Sequence, residues 1–418
     1  MKRLLIIGLI FLAGSFWLPA SAGAQDTVGD EISVLVDGLP VVFDVSPVIH
    51  QGRTLVPFRA TAEALHIEVS WDSASRTIDA AGPNSSVRLQ IGSRTAYLNN
   101  TAVNLDVPPE ICNGRTLIPL RFFSEACNYQ VVWESSENTI RITSPSRDMT
   151  VVGFYALGSA QASSWTNLFG VPYPQTGSGN TDVVDVLALG WYSVDSNGSL
   201  LTRSMTGWAR PDGWEDVLEA GENYNLKAEM VVHATDNGGT ISSLLNDKAA
   251  VARAVYDIAG EAKVYGGVNL DFEGLGYRDE GAQLSAVRDS FTSFVRLLSS
   301  RLHEINKTLT VTLHAPNSSY RGYDYRSLGE IADSIIIMAY DYGPTPEPNE
   351  LVVEAIEMAR AGVPPQKLLL GVSAPSETPQ SLATKIAIAK RYNLKGIALW
   401  RLGVISGEMW GTLREAGL

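Results

Sequence analysis

The strongest constraint on the fold is a regular alternation of strand-like and helix-like segments after residue 149 of the 418-residue chain. Eight apolar runs occupy residues 151–157, 183–194, 228–234, 264–273, 309–315, 335–340, 368–374 and 397–400. Amphipathic segments separate them, and the clearest has apolar residues at helical spacing across 284–305. Eight such units in about 270 residues predict an α/β fold, a (β/α)8 TIM barrel. A doubly wound open sheet is the alternative, but no glycine-rich phosphate loop follows the first run.

The fourth run carries polar residues where a buried strand would be apolar. A strand's two-residue period places four of them on one face, namely Gly267, Asn269, Asp271 and Glu273. Two carboxylates inside a parallel sheet need a partner or a purpose, because burying a charge is costly. The Cα atoms of the two acids would lie roughly 6.5–7 Å apart, close enough for one pKa to rise. That suits an acid protonated near neutral pH. A half-exposed strand with a solvated acidic face is the alternative interpretation.

The carboxyl ends of barrel strands are where functional sites form. The chemistry-bearing residues at those ends are Tyr155, Trp191, His233, Asp271, Glu273, His314, Tyr340, Asp341 and Trp400. Acids and aromatic rings on one rim are typical of a sugar site, where rings stack and carboxylates act on the glycosidic bond. The alternatives are hydrogen-bonded core histidines and aromatic rings that only plug the barrel mouth.

The N-terminus predicts export. Lys2 and Arg3 precede an apolar run at 4–18 and small residues at 20–24, a signal-peptide pattern that ends near residue 24. An uncleaved anchor is the alternative. The mature protein would be secreted, or associated with the cell wall or spore. Its net charge of −13 argues against nucleic-acid or anionic-membrane partners and fits a neutral substrate such as a polysaccharide.

The cysteine and histidine content is low. Cys112 and Cys127 could form a disulfide in an exported protein, although spacing alone does not decide this. Two cysteines and five scattered histidines give no metal-ligand spacing.

Residues 31–145 contain an internal duplication with an offset of 62 residues. The sequence GRTLVPFR at 52–59 recurs as GRTLIPLR at 114–121, and Trp71 recurs as Trp133. Each copy predicts a hairpin, a short helix, and then a strand with a closing turn, which together make a smaller duplicated α+β domain. The two tryptophans are interpreted as core residues, with sugar stacking as the alternative.

This duplicated pattern resembles the copper amine oxidase N-terminal-like (stalk) domain that many exported bacterial proteins carry. The short helices are expected around residues 57–65 and 119–126. No copper ligands are recognisable in the repeat. The resemblance implies a spacer or a module for cell-wall attachment.

Three barrel motifs resemble glycoside hydrolase family 18, the chitinase family. GVNLDFE at Gly267–Glu273 is similar to its fourth-strand signature, MAYD at 338–341 to its sixth, and GIALW at Gly396–Trp400 to its eighth. They occur in the family's order within residues 149–418. The form with Asn269 and Phe272 is most similar to the cortex-lytic, spore-germination branch, which acts on peptidoglycan.

The resemblance implies a role for each matched residue. Glu273 would be the general acid, and Asp271 would hold the substrate's N-acetyl group so that its carbonyl oxygen attacks C1. Tyr340 would hydrogen-bond that acetamide. Further substrate-binding residues would be Trp400 as the floor of the −1 sugar, with Asn269, Asp341, Met338, Tyr155 and His314. No metal or organic cofactor is implied.

Two departures from the family pattern qualify this assignment. Gly266 and Asn269 stand where the fuller signature has acids, and Asn269 can hydrogen-bond Asp271 but cannot share its charge. Modest activity is therefore expected. Residues 373–395 hold only a turn and a helix, so the inserted domain of many chitinases is absent and the cleft should be shallow.

Together these features predict an exported glycosidase that cleaves β-1,4-linked N-acetylglucosamine-containing glycans with retention. Peptidoglycan, spore cortex and chitin-like polymers are the candidate substrates. A non-catalytic, lectin-like wall protein on the same barrel is the alternative, and a structural wall protein is a third. The presence of Glu273 favours the enzyme, because lectins of the family typically lack that acid.

Overall fold

The computed structural model describes residues 32–82, 85–145, 148–155, 163–204 and 207–418. The predicted signal peptide, residues 1–24, lies outside these ranges. Within them, no helix is both long and apolar enough to cross a membrane.

The N-terminal domain is built mainly from short strands. These are β1 (Ser33–Val36), β2 (Leu39–Pro40), β3 (Val48–His50), β4 (Arg53–Pro57), β5 (Glu68–Asp72), β6 (Thr77–Ala81), β7 (Ser86–Gln90), β8 (Thr95–Leu98), β9 (Thr101–Asn104), β10 (Glu110–Cys112), β11 (Arg115–Pro119), β12 (Gln130–Glu134) and β13 (Thr139–Thr143). The two predicted short helices are present as α1 (Phe58–Ala64) and α2 (Leu120–Ala126). The opening hairpin of each copy turns through left-handed residues, with φ of 51° at both Asp37 and Asn99.

The two copies of the repeat interlock. One outer sheet has the order β12-β13-β1-β2, and the other has β5-β6-β7-β8-β9. Each therefore joins the closing hairpin of one copy to the opening hairpin of the other. The middle sheet, β10-β11-β4-β3, pairs β4 with β11 across the two copies. A shared core, which includes Ile78 and Phe123, lies between the sheets and the helices. The two copies thus form one folding unit.

The tryptophans of the repeat lie at the surface, so their interpretation as core residues was wrong. Trp71 is 37% exposed and Trp133 is 39% exposed. Each lies on a strand at the edge of its sheet, β5 or β12. The shared core is filled instead by the inner strands and the two helices. Both cysteines are free thiols, and Cys127 is buried while Cys112 packs in a separate small cluster.

The C-terminal region is a closed parallel barrel, which confirms the predicted fold class. Its strands are β14 (Thr150–Tyr155), β15 (Val186–Val194), β17 (Lys227–Thr235), β18 (Gly267–Glu273), β19 (Thr308–His314), β20 (Ser334–Met338), β21 (Leu368–Ser373) and β22 (Gly396–Trp400). A short strand, β16 (Leu200–Leu201), is added to β15. The first barrel strand, β14, pairs in parallel with both β15 and β22, which closes the ring and excludes an open sheet.

Helices surround the barrel. They are α3 (Ser164–Phe169), α4 (Trp214–Asn223), α5 (Thr240–Asn246), α6 (Lys248–Glu261), α7 (Gly281–His303), α8 (Tyr325–Ile331), α9 (Asn349–Arg360), α10 (Pro379–Arg391) and α11 (Gly407–Glu415), with 3-10 turns at Ala262–Val264, Pro365–Lys367 and Ala374–Ser376. The main core lies between strands and helices and takes Val268, Leu270 and Phe272 from β18. A smaller core fills the barrel interior. Because successive side chains of a strand point to opposite faces, the polar residues of β18 point toward the barrel axis.

Candidate active site

Three neighbouring strand ends bring two acids and two histidines together. The register pairs His233 on β17 with Asp271 on β18, and β19 ends at His314. The His233 Nε2 atom lies 3.4 Å from Oε1 of Glu273. The His314 Nε2 atom lies 4.0 Å from Oε2 of the same carboxylate. Glu273 is thus held between two imidazole rings.

The two carboxylates differ in their access to solvent. Asp271 is buried, and its Oδ1 atom has no hydrogen-bond partner among the described residues. The Glu273 side chain is 28% exposed. A carboxylate oxygen of each acid and a ring nitrogen of His233 lie within 4.8 Å of one another. These three groups could also ligate a divalent metal, in which case the carboxylates would serve as ligands instead of as acids.

The electrostatics of the site give the two acids opposite pKa shifts. Burial, reinforced by the charge of Glu273, raises the pKa of Asp271. Burial also acts to raise the pKa of Glu273, but the hydrogen bond and charge of His233, with a smaller contribution from His314, lower it overall. Burial acts to lower the pKa of His233, and the two carboxylates outweigh it and raise that pKa. The elevated pKa expected for one acid therefore belongs to Asp271.

His314 has the environment of a neutral imidazole. Its Nε2 atom accepts a hydrogen bond of 3.2 Å from the Gly274 backbone N–H, and its ring stacks on Tyr320 at 4.0 Å between centres. Burial lowers the pKa of His314 despite the neighbouring carboxylates. Tyr320 in turn lies 5.3 Å from the ring of exposed Tyr277. Sequence reasoning missed both tyrosines because they follow the strand ends by several residues.

The segment after β20 contributes Tyr340 and, next to it, Asp341, whose charge acts on both Tyr340 and His314. Burial raises the pKa of the Tyr340 hydroxyl, and Asp271 and Glu273 act on it in the same direction. Asp341 is exposed and adopts a left-handed φ of 64°. Its N–H donates to Glu347 at 3.0 Å, so Glu347 fixes this turn. Met338 is buried at the end of the strand.

Trp400 belongs to an aromatic group above the barrel interior. It meets the edge of Phe154 at 5.3 Å and stacks on Trp208 at 5.4 Å with planes 11° apart. The Arg401 guanidinium lies 5.0 Å from the Trp208 ring centre. Trp208 was missed because it lies in the connection after β16. The sequence does contain a glycine, Gly190, on the second barrel strand where the Trp208 ring packs. A Cβ atom at that position would come within 2.9 Å of the ring.

Three predicted rim or substrate-binding residues lie beneath or behind the site. Tyr155 and Trp191 belong to the core between strands and helices, with ring centres 6.2 Å apart, so neither lines the barrel interior. Asn269 is fully buried, and its Oδ1 atom accepts a 2.7 Å hydrogen bond from Thr312. The expected hydrogen bond from Asn269 to Asp271 is absent, because the Nδ2 atom of Asn269 has no partner among the described residues.

A parallel (β/α)8 barrel with a carboxylate pair on its fourth strand and a tryptophan on its eighth defines a glycosidase-like class of protein. Residues 174–378 match the Glycosyl hydrolases family 18, and residues 35–142 match the Copper amine oxidase N-terminal domain. The chain therefore carries a family 18 domain preceded by a copper amine oxidase N-terminal domain. Both resemblances noted in the sequence are confirmed.

Two curated relatives come from Bacillus species. The Bacillus subtilis protein YdhD, provisionally named as a sporulation-specific glycosylase, is 34% identical over 197 residues. The cortical fragment-lytic enzyme of Bacillus anthracis is 26% identical over 206 residues. Each match covers 43% of this chain and 43% of the relative, so the chain spans less than half the length of these relatives.

Solved structures show the same fold. A chitinase from Chromobacterium violaceum superimposes with a TM-score of 0.53 at 18% identity, over 64% of this chain and 99% of that one. The Bacillus cereus spore cortex-lytic enzyme SleL gives a TM-score of 0.53 at 18% identity, over 65% and 75% of the two chains. At this level of identity they establish the barrel architecture alone.

Proposed function

We propose that the barrel hydrolyses β-1,4-linked N-acetylglucosamine-containing glycans of the cell wall or spore cortex. The observation that carries this proposal is the pairing of buried Asp271 with partly exposed Glu273 on one strand face. Relatives named for sporulation and cortex lysis support a peptidoglycan substrate over chitin. The predicted signal peptide, residues 1–24, supports secretion, and the duplicated domain is suited to hold the enzyme at the wall.

Hydrolysis begins when substrate relocates the proton shared by the two acids. In the empty site the raised pKa of Asp271 keeps the proton on that buried carboxyl. A substrate acetamide N–H donated to Asp271 stabilises its anion and lowers that pKa, so the proton passes to Glu273. The acetamide carbonyl oxygen then attacks C1 while Glu273 protonates the leaving oxygen. Tyr340, on whose hydroxyl the charges of both acids act, hydrogen-bonds the acetamide.

The second step restores the enzyme. Glu273, now ionised, takes a proton from water as that water attacks C1 of the cyclised sugar. The bond from the acetamide oxygen to C1 breaks, and the hydroxyl enters on the face that the leaving group occupied. Two displacements at one carbon retain its configuration. Trp400 supports the ring of the reacting sugar.

The proposal is tested with purified cortex peptidoglycan, chitooligosaccharides and their de-N-acetylated counterparts. We expect new reducing ends from the acetylated substrates, with the β-anomer appearing first by NMR. Glu273→Gln should lose turnover by about 10²–10⁴-fold and still bind glycan. Cleavage of de-acetylated substrate at an equal rate, or an α-anomer as first product, would exclude substrate assistance. Loss of activity in EDTA would indicate a metal role for the His233–Asp271–Glu273 group.

A lectin-like, non-catalytic function is the second candidate. It is favoured by one observation, the lowered pKa of Glu273, which is the opposite of the shift that suits a proton donor. A binder would retain chitooligosaccharides and cortex glycan without releasing reducing ends. Wild-type and Glu273→Gln proteins would then behave alike in both assays.

A further inference from the structure

The N-terminal domain presents a solvent-exposed tryptophan twice at equivalent positions. Trp71 and Trp133 are separated by the repeat offset of 62 residues and lie on edge strands of the two outer sheets. A single exposed aromatic residue needs no explanation. Two exposed rings in matching places of an interlocked duplication indicate a surface feature that the fold presents twice.

A groove surrounds Trp133 and is built from both copies of the repeat. Its volume is about 560 Å³, within the usual range of ligand sites. Its apolar part includes Trp133, Phe122, Val131 and Ile49, and its charged residues are Arg53, Arg121, Asp106 and Glu125. Across the two copies, Nε of Arg53 lies 2.6 Å from Oδ2 of Asp106. The groove thus combines one broad aromatic face with two cations and two anions.

The duplication reproduces most of these groups around Trp71. The equivalent of the Arg53–Asp106 pair is Arg115–Asp44, at 2.5 Å, and again joins the two copies. Exposed Ile111 corresponds to exposed Ile49. One apolar position differs, because Ala60 stands where the second copy has Phe122. The Trp71 side therefore has the same charges and less apolar surface.

We propose that the Trp133 groove binds a glycan strand, and that the Trp71 side is a weaker second site for the same polymer. An aromatic face suits the apolar face of a sugar ring, while flanking guanidinium and carboxylate groups can exchange hydrogen bonds with hydroxyl and acetamide groups. Balanced charge favours a ligand without net charge. The inference rests on the proposed function for the ligand class, the aminosugar polymer that the barrel would cleave.

The test uses the full chain carrying Glu273→Gln, so that glycan is not consumed. Co-sedimentation with purified peptidoglycan measures Kd for this protein and for added Trp133→Ala, Trp71→Ala and double substitutions. Trp133→Ala should weaken binding about fivefold, a stacking loss of about 1 kcal/mol, and Trp71→Ala less. Tyr97→Ala, at an exposed aromatic residue of the same domain that does not line this groove, should leave Kd unchanged.

A gain-of-function variant guards against simple unfolding. Ala60→Phe restores the missing apolar group beside Trp71 and should tighten binding at least twofold, an effect that Trp71→Ala should abolish. Unchanged Kd in folded Trp133→Ala and double variants would overturn the inference. If wild-type protein cleaves no glycan but Trp133→Ala still weakens binding, the groove stands and the hydrolase proposal fails. If the wild-type protein cleaves glycan and neither tryptophan substitution changes Kd, the hydrolase proposal stands and the groove proposal fails.

Discussion

The two ends of the barrel each bury a carboxylate but surround it with different neighbouring groups. At the amino end of β17, Glu229 is fully buried and accepts hydrogen bonds from Thr310 at 3.2 Å and from Lys227 at 3.3 Å. At the carboxyl end of β18, Asp271 is equally enclosed. Burial raises both pKa values, but two lysines and a threonine oppose the rise at Glu229, whereas only His233 opposes it at Asp271.

This difference separates a structural acid from a functional one. The Oε1 atom of Glu229 accepts hydrogen bonds from Thr310 on β19 and from Lys227 on its own strand, whereas its Oε2 atom has no partner among the described residues. The Oδ1 atom of Asp271 is also unpartnered among the described residues, but it lies next to a partly exposed glutamate, so it is an acceptor that a substrate can reach. The amino end of a barrel usually serves stability and the carboxyl end serves chemistry, and these two acids follow that division.

The largest expected effect comes from Asp271→Asn. The amide cannot carry the anion that receives the substrate acetamide, so kcat should fall about 10²–10⁴-fold. The stability of the variant should instead rise relative to wild type. Because folding raises the pKa of Asp271, wild type loses stability as pH rises above the unfolded value of about 3.9. The variant should therefore gain Tm relative to wild type as pH increases. Unchanged kcat would place Asp271 outside the chemistry.

At the amino end, Glu229→Ala should lower stability and leave kcat unchanged. Removing the acid leaves the Thr310 hydroxyl without its acceptor and opens a small cavity, so unfolding free energy should fall by about 2 kcal/mol. The loss stays moderate because the Lys227 side chain is 41% exposed and can be solvated. Urea unfolding at pH 7 measures it, with kcat per folded molecule expected to match wild type. A lower kcat without loss of stability would contradict the division between the ends.

Sequence periodicity predicted the barrel and the acidic face of β18 because alternating polar and apolar residues fix which side chains point inward. The same logic failed for Tyr155. The first strand, Thr150–Tyr155, has a threonine only at its start and then reads Val-Val-Gly-Phe-Tyr, which does not set the phase, and the structure gives the interior to Phe154. Trp208 was missed because it reaches the site from a connection, and no periodicity positions a loop residue.

The exposure of Trp71 and Trp133 was unpredictable for a different reason. Within one copy, the strand bearing the tryptophan resembles any half-buried strand. For Trp71, β5 lies at a sheet edge because β6 pairs on its other side with β7; for Trp133, β12 lies at an edge because β13 pairs in parallel with β1. That pairing joins residues more than 100 positions apart in sequence, and local patterns do not encode it.

The histidine beside the acids gives the next prediction. His233 lowers the pKa of Glu273, so His233→Gln should raise it and move the acid limb of the kcat/KM profile to higher pH. The shift should be about one pH unit, the equivalent of one charge-assisted hydrogen bond of about 1.5 kcal/mol. His303→Gln, at an exposed histidine paired with Asp333 on the outer surface, should leave the limb in place. An unmoved limb in His233→Gln would remove that histidine from the control of Glu273.

The smallest expected effect concerns the aromatic group that distinguishes the two barrel ends. The cavity at the amino end, about 620 Å³, is lined by charged, small and aliphatic residues without any aromatic ring among those described. At the carboxyl end Trp208 extends the ring surface of Trp400. Trp208→Ala should raise KM for a chitooligosaccharide about three- to tenfold, a loss of roughly 0.5–1.5 kcal/mol of ring contact, with kcat nearly unchanged because the acids are untouched. Trp208→Phe should recover part of the affinity. A fall in kcat with constant KM would instead mean that Trp208 positions Trp400 for the reaction, and the aromatic group would then belong to the chemistry together with Asp271.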